Sequence, residues 1–119
     1  MKLKERRRDG VVILEAKGRV LGGADAELME KTVKDLIATG ARRVLLDLSE
    51  VSLMNSSGLG SVISCHSILK EAGGDLKLLR VSNKIESLLI ITKLITVFDT
   101  HNDEEEAIAA FAREAESDA

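Results

Sequence analysis

The chain has 119 residues, of which 45% are hydrophobic and 31% are charged, and its formal net charge is −3. This length predicts a single domain over residues 1–119, and the composition argues against long disorder or a membrane span. A negative chain with two aromatic residues and no Trp or Tyr offers neither a general attraction for phosphate backbones nor a stacking platform, so we expect no direct binding of nucleic acid.

The first forty residues predict a hairpin followed by a helix. Strands are expected over about 2–8 and 11–16, because the Asp-Gly pair at 9–10 readily supplies the positive φ angles of a tight turn. A loop is predicted over 17–23, and apolar residues at helical spacing predict a helix over about 24–39. The solvated face of the first strand is expected to carry a basic cluster: Lys2, Lys4, Arg6, Arg7 and Arg8.

The rest of the chain alternates strands and helices. The apolar run at 44–48 predicts a buried parallel strand, followed by a loop over 49–56. The complete order, β-β-α-β-α-β-α-β-α, predicts an α/β domain with a mixed sheet of four to five strands and about four helices. The later elements are a helix over about 57–72, a strand over 76–81, a helix capped by Ser82 or Asn83 and ending near 92, a short strand over 96–100, and a last helix capped by Asp103 and docked by Ile108 and Phe111.

The single cysteine and the start of the chain bear on the compartment. Cys65 cannot form an internal disulfide, which is typical of a reducing environment. The first residues show no apolar stretch of a signal peptide, and no 18 apolar residues occur in a row. We therefore expect a cytoplasmic protein without membrane insertion.

The segment 47–60 is the one stretch with a chemical signature, because it passes from a buried strand into a helix start. Three enzymatic interpretations of it fail. A phosphate-binding loop needs Gly-Lys followed by Ser or Thr, which the chain lacks, and a dinucleotide fingerprint would need glycine in place of Ile63. A hydrolase nucleophile elbow would need glycine in place of Met54, two residues before Ser56. We expect no enzymatic activity, no catalytic residue and no cofactor.

The histidines and the cysteine are better explained by structure than by chemistry. His66 lies on the apolar stripe of the second predicted helix, roughly 12 Å along its axis from the serine pair, too far for a base. His101 has no Cys or His at ligand spacing, so no metal site is predicted. Cys65 is expected to be a small core residue.

The segment closely resembles the STAS family of anti-sigma factor antagonists, whose signature is a strand ending Asp-Leu-Ser, a hydrophobic loop, and Asp-Ser-Ser-Gly-Leu-Gly opening a helix. The resemblance extends over nearly the whole chain. It implies that Ser56 is phosphorylated by a partner that is both serine kinase and anti-sigma factor. It also implies that the unphosphorylated antagonist binds this partner and frees the sigma factor, whereas the phosphorylated antagonist dissociates from the partner.

Two residues depart from the family pattern. Asn55 stands where Asp normally precedes the phosphorylated serine, and Leu21 stands where Asp or Asn is common. Both changes remove acidity near the site. The alternative reading is a non-phosphorylated STAS scaffold or a transporter-associated subunit.

The residues around Ser56 also have a plain structural interpretation. Asn55, Ser56 and Ser57 are all good helix caps, and the resemblance is what favours a switch at Ser56. The predicted partner-binding residues are Met54, Asn55, Ser57, Gly58 and Leu59, with Leu53 as a further apolar candidate. For the apolar side chains among them, packing in the core is the competing role.

Overall fold

The structure is a computed structural model that describes the backbone of residues 1–117 and the side chains of residues 1–114; positions 118–119 of the predicted domain lie outside the described residues. The predicted order of strands and helices is confirmed. The elements are β1 (Lys2–Arg8), β2 (Val11–Val20), α1 (Ala24–Ala38), β3 (Arg43–Met54), α2 (Ser56–Glu71), β4 (Asp75–Leu79), α3 (Asn83–Ile91), β5 (Thr100–His101) and α4 (Glu104–Ser117).

The five strands form one mixed sheet in the order β1-β2-β3-β4-β5. The β1–β2 pair is antiparallel and turns at Asp9 and Gly10, whose φ angles are 52° and 79°. The β2–β3, β3–β4 and β4–β5 pairs are parallel, as predicted for the apolar run in β3. The parallel strands β2, β3 and β4 therefore run toward the same end of the sheet, and the β1–β2 turn lies at the opposite end.

Two layers of helix cover the sheet. Buried residues of α1, α2 and α3 pack with alternate strand residues such as Leu14 and Leu46 in one core. On the other face, Ala107, Ile108 and Phe111 of α4 pack on a second, smaller core. The predicted docking of the last helix by Ile108 and Phe111 is therefore confirmed.

The central strands are longer than predicted. The loops expected over 17–23 and 49–56 are largely strand, because β2 continues to Val20 and β3 to Met54. Two register shifts, between Glu15 and Lys17 and between Gly18 and Arg19, keep the two strands paired. Such bulges break the alternation of apolar and polar residues from which a strand is recognised in the sequence.

The strand predicted over 96–100 was wrong in its bounds. Only Thr100–His101 pairs with β4, and Phe98 is instead buried in the core beside the helices. The predicted strand over 76–81 also ends two residues early, at Leu79. The backbone leaves the sheet at Arg80, whose φ of 55° does not continue a strand.

Ion pairs fasten the start of α4 to the edge strand. Arg6 and Arg8 both pair with Glu104, and Arg6 also donates to Glu15 at 2.8 Å. The hydrogen bond from Arg6 is the main cause that lowers the pKa of Glu104 to about 2. The basic cluster of β1 is thus only partly a solvated face, because two of its arginines hold the last helix.

A buried lysine joins β4 to the same helix. The side chain of Lys77 is fully buried, and its Nζ lies 2.7 Å from Asp99, 2.6 Å from Glu114 and 5.0 Å from the centre of the Phe111 ring. Burial disfavours the charged amine, but the hydrogen bonds to Asp99 and Glu114 outweigh this and raise the pKa of Lys77. Lys77 therefore serves as an internal cation beneath α4.

Among residues 1–117, no helix has the length and apolar character needed to cross a membrane.

Candidate functional site

The second helix begins at Ser56, and only Asn55 separates it from Met54, the last residue of β3. Asn55 is the N-cap: its backbone is extended, with φ −100° and ψ −178°, and its side-chain Oδ1 accepts the Gly58 N–H at 2.8 Å. The Asn55 carbonyl accepts the Leu59 N–H at 2.9 Å. The amide that stands in place of the usual Asp thus performs the capping role without a charge.

Ser56 and Ser57 occupy the first two helical positions, and both side chains are exposed. The N–H groups of a first helical turn have no acceptor within the helix. Among the described residues, those of Ser56 and Ser57 have no other hydrogen-bond acceptor either. The Ser56 hydroxyl therefore lies in solvent beside free donors and the positive end of the helix dipole.

Two close approaches fix the helix start against the end of β2 and the turn that follows it. A Cβ placed on Gly58 would lie 1.8 Å from the carbonyl oxygen of Val20, so only glycine allows β2 to lie this near. On the other side of the site, a Cβ on Gly22 would lie 2.7 Å from the Cβ of Ser57. Since Gly22 also has a φ of +88°, the turn after β2 requires glycine for two reasons.

The predicted partner-binding residues divide by exposure. Asn55 and Ser57 are exposed at the surface, whereas Gly58 is buried, and the side chains of Met54 and Leu59 belong to the main core with 9% and 3% of their surface exposed. For Met54 and Leu59 the packing therefore agrees with the core role. Their predicted contact with a partner stays a prediction.

The exposed apolar residue at this end of β3 is Leu53, at 49% of its surface. It lies opposite Arg19 of β2 in the sheet register. An exposed leucine one residue before the Met54-Asn55 junction gives the site an apolar rim, which suits a protein contact better than a small charged ligand.

Sequence reasoning gave no role to Asp25, which orders the loop beside the site. One carboxylate oxygen of Asp25 accepts the Leu21 N–H at 3.1 Å. The available signal was an acidic residue in the first turn of a helix that follows the Gly22-Gly23 pair. Leu21 therefore keeps its backbone anchored although its own side chain lacks the acidity common at that position.

Asp47 and Arg80 form a second feature that the sequence did not reveal. The Asp47 carboxylate is 4% exposed and accepts the Ser49 N–H at 3.0 Å and the Arg80 guanidinium at 3.1 Å. Arg80 has the left-handed φ noted above, and its N–H donates to the His101 carbonyl at 2.8 Å. The Asp of the Asp-Leu-Ser sequence thus has a structural role, since it joins β3 to the chain leaving β4.

The structure separates the two histidines from the serine pair. His66 packs edge to face on Phe98, with ring centres 5.2 Å apart, and burial lowers its pKa. Its Nε2 lies 3.7 Å from Asp75, at the start of β4, and His101 contacts Asp99 at 2.9 Å. Cys65 is fully buried, and burial raises its pKa to about 12, so its thiol is inert.

The neighbours of Ser56 decide what chemistry the helix start can support. Across the described residues, no three or more His, Cys, Asp or Glu side chains are grouped so that they could hold a metal ion. Ser56 has no general base among its described contacts. What the helix start does offer is an exposed hydroxyl next to free N–H donors, a place where an added phosphate would be accommodated.

Comparisons with known proteins bear on the family and the fold of the chain. The model of the STAS domain family matches residues 2–107. BtrV of Bordetella bronchiseptica, described as a candidate anti-sigma factor antagonist, is 32% identical over 111 residues, which are 93% of this chain and 95% of the relative. A crystal structure of a candidate anti-sigma factor antagonist from Thermotoga maritima superposes with a TM-score of 0.83 at 25% identity, covering 92% of this chain and 94% of that one.

The fold is also that of the Bacillus anti-sigma factor antagonist SpoIIAA. Its unphosphorylated form gives a TM-score of 0.69 at 19% identity over 94% of this chain and 98% of that one. Its phosphorylated form gives 0.69 at 22% identity over 92% and 98%. At these identities the likeness concerns the fold alone.

Proposed function

The chain belongs to the STAS domain family, and from this we propose that it is an anti-sigma factor antagonist whose binding to an anti-sigma serine kinase is switched off by phosphorylation of Ser56. The similarity to BtrV, a relative of nearly the same length that is described as a candidate anti-sigma factor antagonist, supports the antagonist role. The observation that carries the switch is the exposed Ser56 hydroxyl at the first position of α2. We further propose that the domain works in the cytoplasm by binding and not by catalysis.

The proposed switch acts at the interface and not on the fold. A phosphate adds about −1.5 to −2 charges at neutral pH. On Ser56 this charge would meet free N–H groups and the positive end of α2, which stabilise it, while the Asn55 cap adds no opposing carboxylate. The phosphorylated domain therefore stays folded.

Partner binding is where the added charge matters. The apolar rim at Leu53 would bring a partner surface over Ser56, and a phosphate trapped there is costly unless it is paired. A tenfold loss of affinity requires only about 1.4 kcal/mol. A single phosphate is thus sufficient to release the partner.

A pull-down with the tagged chain from cells of the source organism, with and without ATP, tests this proposal. We expect recovery of an ATP-binding kinase, loss of that kinase after ATP is added, and phosphate on Ser56 by mass spectrometry. Phosphate on Ser57 or Ser52 would refute the residue assignment. Recovery of a transporter or a large scaffold, with no phosphate on the chain, would favour the alternative role.

A further inference from the structure

The end of the sheet opposite Ser56 carries a groove with a different chemistry. Two adjoining cavities, of about 430 Å³ and 280 Å³, share Arg42 and Arg43 as lining residues. We call them together the arginine groove. Arg43 opens β3 and Ser56 follows its end, so the groove and the serine are separated by the length of that strand, about 36 Å at 3.3 Å per residue.

The groove is lined by more cations than anions. The larger cavity adds Arg7 and Arg8 to the shared pair, against one carboxylate, Asp9. Arg7 and Arg8 already have carboxylate partners, because Arg7 Nε lies 3.3 Å from Glu5 Oε2 and Arg8 pairs with Glu104 at the start of α4. The positive charge that remains available must therefore come from the shared arginines.

Arg42 and Arg43 are not neutralised by any carboxylate among the described residues. One nitrogen of Arg42 donates to the carbonyls of Ile37 at 2.9 Å and Ala41 at 2.8 Å, which holds the side chain in place and leaves its charge unbalanced. The side chain of Arg43 has no hydrogen-bond or ion-pair partner in the described part of the chain. Two consecutive arginines that line both cavities and have no carboxylate partner among the described residues give this end of the sheet a local attraction for carboxylates, although the net charge of the chain is −3.

The lining favours a peptide over a nucleic acid or a dense polyphosphate. Phe111 is the aromatic side chain at the groove among the described residues, and Lys77 already lies over its ring, so bases have no stacking partner. Asp9 on one side, and Asp75 and Glu114 on the other, would repel closely spaced phosphates. A flexible peptide can place separated carboxylates on the arginines and avoid these three.

We propose that the arginine groove is a second interaction surface, which binds an acidic peptide segment of a partner protein independently of the state of Ser56. The inference does not rest on the proposed phosphorylation switch. It gives the domain two docking ends, one at the start of α2 and one at the start of β3.

The test is fluorescence anisotropy with labelled hexaglutamate as the probe. Wild type should bind saturably, with affinity falling as salt rises. Arg43→Gln removes a guanidinium without breaking a side-chain hydrogen bond or ion pair among the described residues and should weaken binding about tenfold. Arg19→Gln, an exposed cation near the other end of β2, is the matched control and should leave the affinity unchanged. Ser56→Asp should also leave it unchanged, which separates this proposal from the switch.

Absence of saturable binding by wild type, or equal weakening by Arg19→Gln and Arg43→Gln, would overturn the proposal. Tighter, Arg43-dependent binding of a labelled hexathymidylate would overturn the peptide assignment. Unfolding curves for each variant show whether the domain is intact, and Arg43→Lys, which keeps the charge, should retain most of the affinity.

Discussion

The Cα of Gly58 lies so close to Val20 that an added Cβ would stand 1.8 Å from the Val20 carbonyl oxygen. Gly58→Ala must therefore push α2 away from β2, and we expect a loss of about 3 kcal/mol in the free energy of unfolding. Gly60 is the matched control, since nothing lies within 4 Å of its Cβ position. Gly60→Ala should stabilise by about 0.5–1 kcal/mol. Urea unfolding measures both, and equal effects would contradict the observed packing.

Asn55 stabilises α2 through its side-chain oxygen. Asn55→Ala removes the acceptor for the Gly58 N–H and should cost about 1 kcal/mol. Asn55→Asp restores the residue usual in the family, keeps the hydrogen-bond acceptor and adds a negative charge at the N-terminal end of the helix. The free energy of unfolding should therefore stay the same or rise by about 0.3 kcal/mol. A loss of stability in both variants, seen by thermal unfolding, would show that the amide N–H₂ group is what matters.

Substitutions at the serine pair should separate interface from fold. Ser56→Asp is expected to weaken kinase binding at least about tenfold by placing a charge under the partner, while Ser56→Ala binds normally and accepts no phosphate. Ser57→Ala, the neighbouring control, should still be phosphorylated. Calorimetry measures the affinity of each variant for the kinase, and mass spectrometry locates any phosphate. Normal kinase binding by Ser56→Asp would contradict the proposed release mechanism.

Stability should fall in acid partly through Glu104. Its folded-state pKa of about 2 lies below the ordinary 4.5, so its contribution is present above pH 4.5 and is lost as pH falls from 4.5 toward 2. Glu104→Gln should cost about 1 kcal/mol at pH 7, a modest figure because Arg6 and Arg8 are more than a third exposed. The difference from wild type should shrink by pH 2.5.

Glu105 provides the control for that measurement, because it is 75% exposed and contacts Arg8 at 3.4 Å. Glu105→Gln should change the unfolding free energy by less than about 0.5 kcal/mol at either pH. If the Glu104→Gln difference persists undiminished at pH 2.5, its cause is packing and not charge.

Lys77→Met tests the internal cation. The substitution keeps an apolar stem of similar length and leaves Asp99 and Glu114 facing each other without a counter-charge. We expect a loss of about 2–3 kcal/mol at pH 7, shrinking as pH falls and the carboxylates are protonated. Lys70→Met, at a lysine that is 53% exposed, should have little effect. A pH-independent loss would mean that Lys77 acts by packing alone.

Short-range patterns predicted the helices well and the long-range contacts poorly. The caps at Asn55, Ser82 and Asp103 follow from residue type, and all three side chains accept first-turn N–H groups. The extension of β3 through Ser49-Glu50 could not be predicted, because its hydrogen bonds come from a partner strand that itself contains bulges.

Ion pairs between residues far apart in the sequence could not be predicted either. Nothing local to Lys77 indicates that a lysine in an apolar strand will be buried under a helix that begins at Glu104. The ion pair between Arg6 and Glu104 joins residues 98 positions apart. Because no local pattern reveals such a pair, the sequence predicted only a solvated basic face on β1. For the site, the sequence predicted an accessible Ser56 at a helix start and favoured a core position for Leu59 on the apolar stripe of α2, but it left Met54 open between core and interface.

The strand order has a consequence for how the domain assembles. Each strand lies beside the one made just before it, so every strand emerging from the ribosome finds its neighbour already present. The face under α4 is different, because it stays uncovered until the last helix is synthesised. During that interval Val11, Ile13, Leu45 and Leu79 form an apolar patch on an otherwise complete sheet, and a chain stalled before Glu104 would expose it to chaperones or to aggregation.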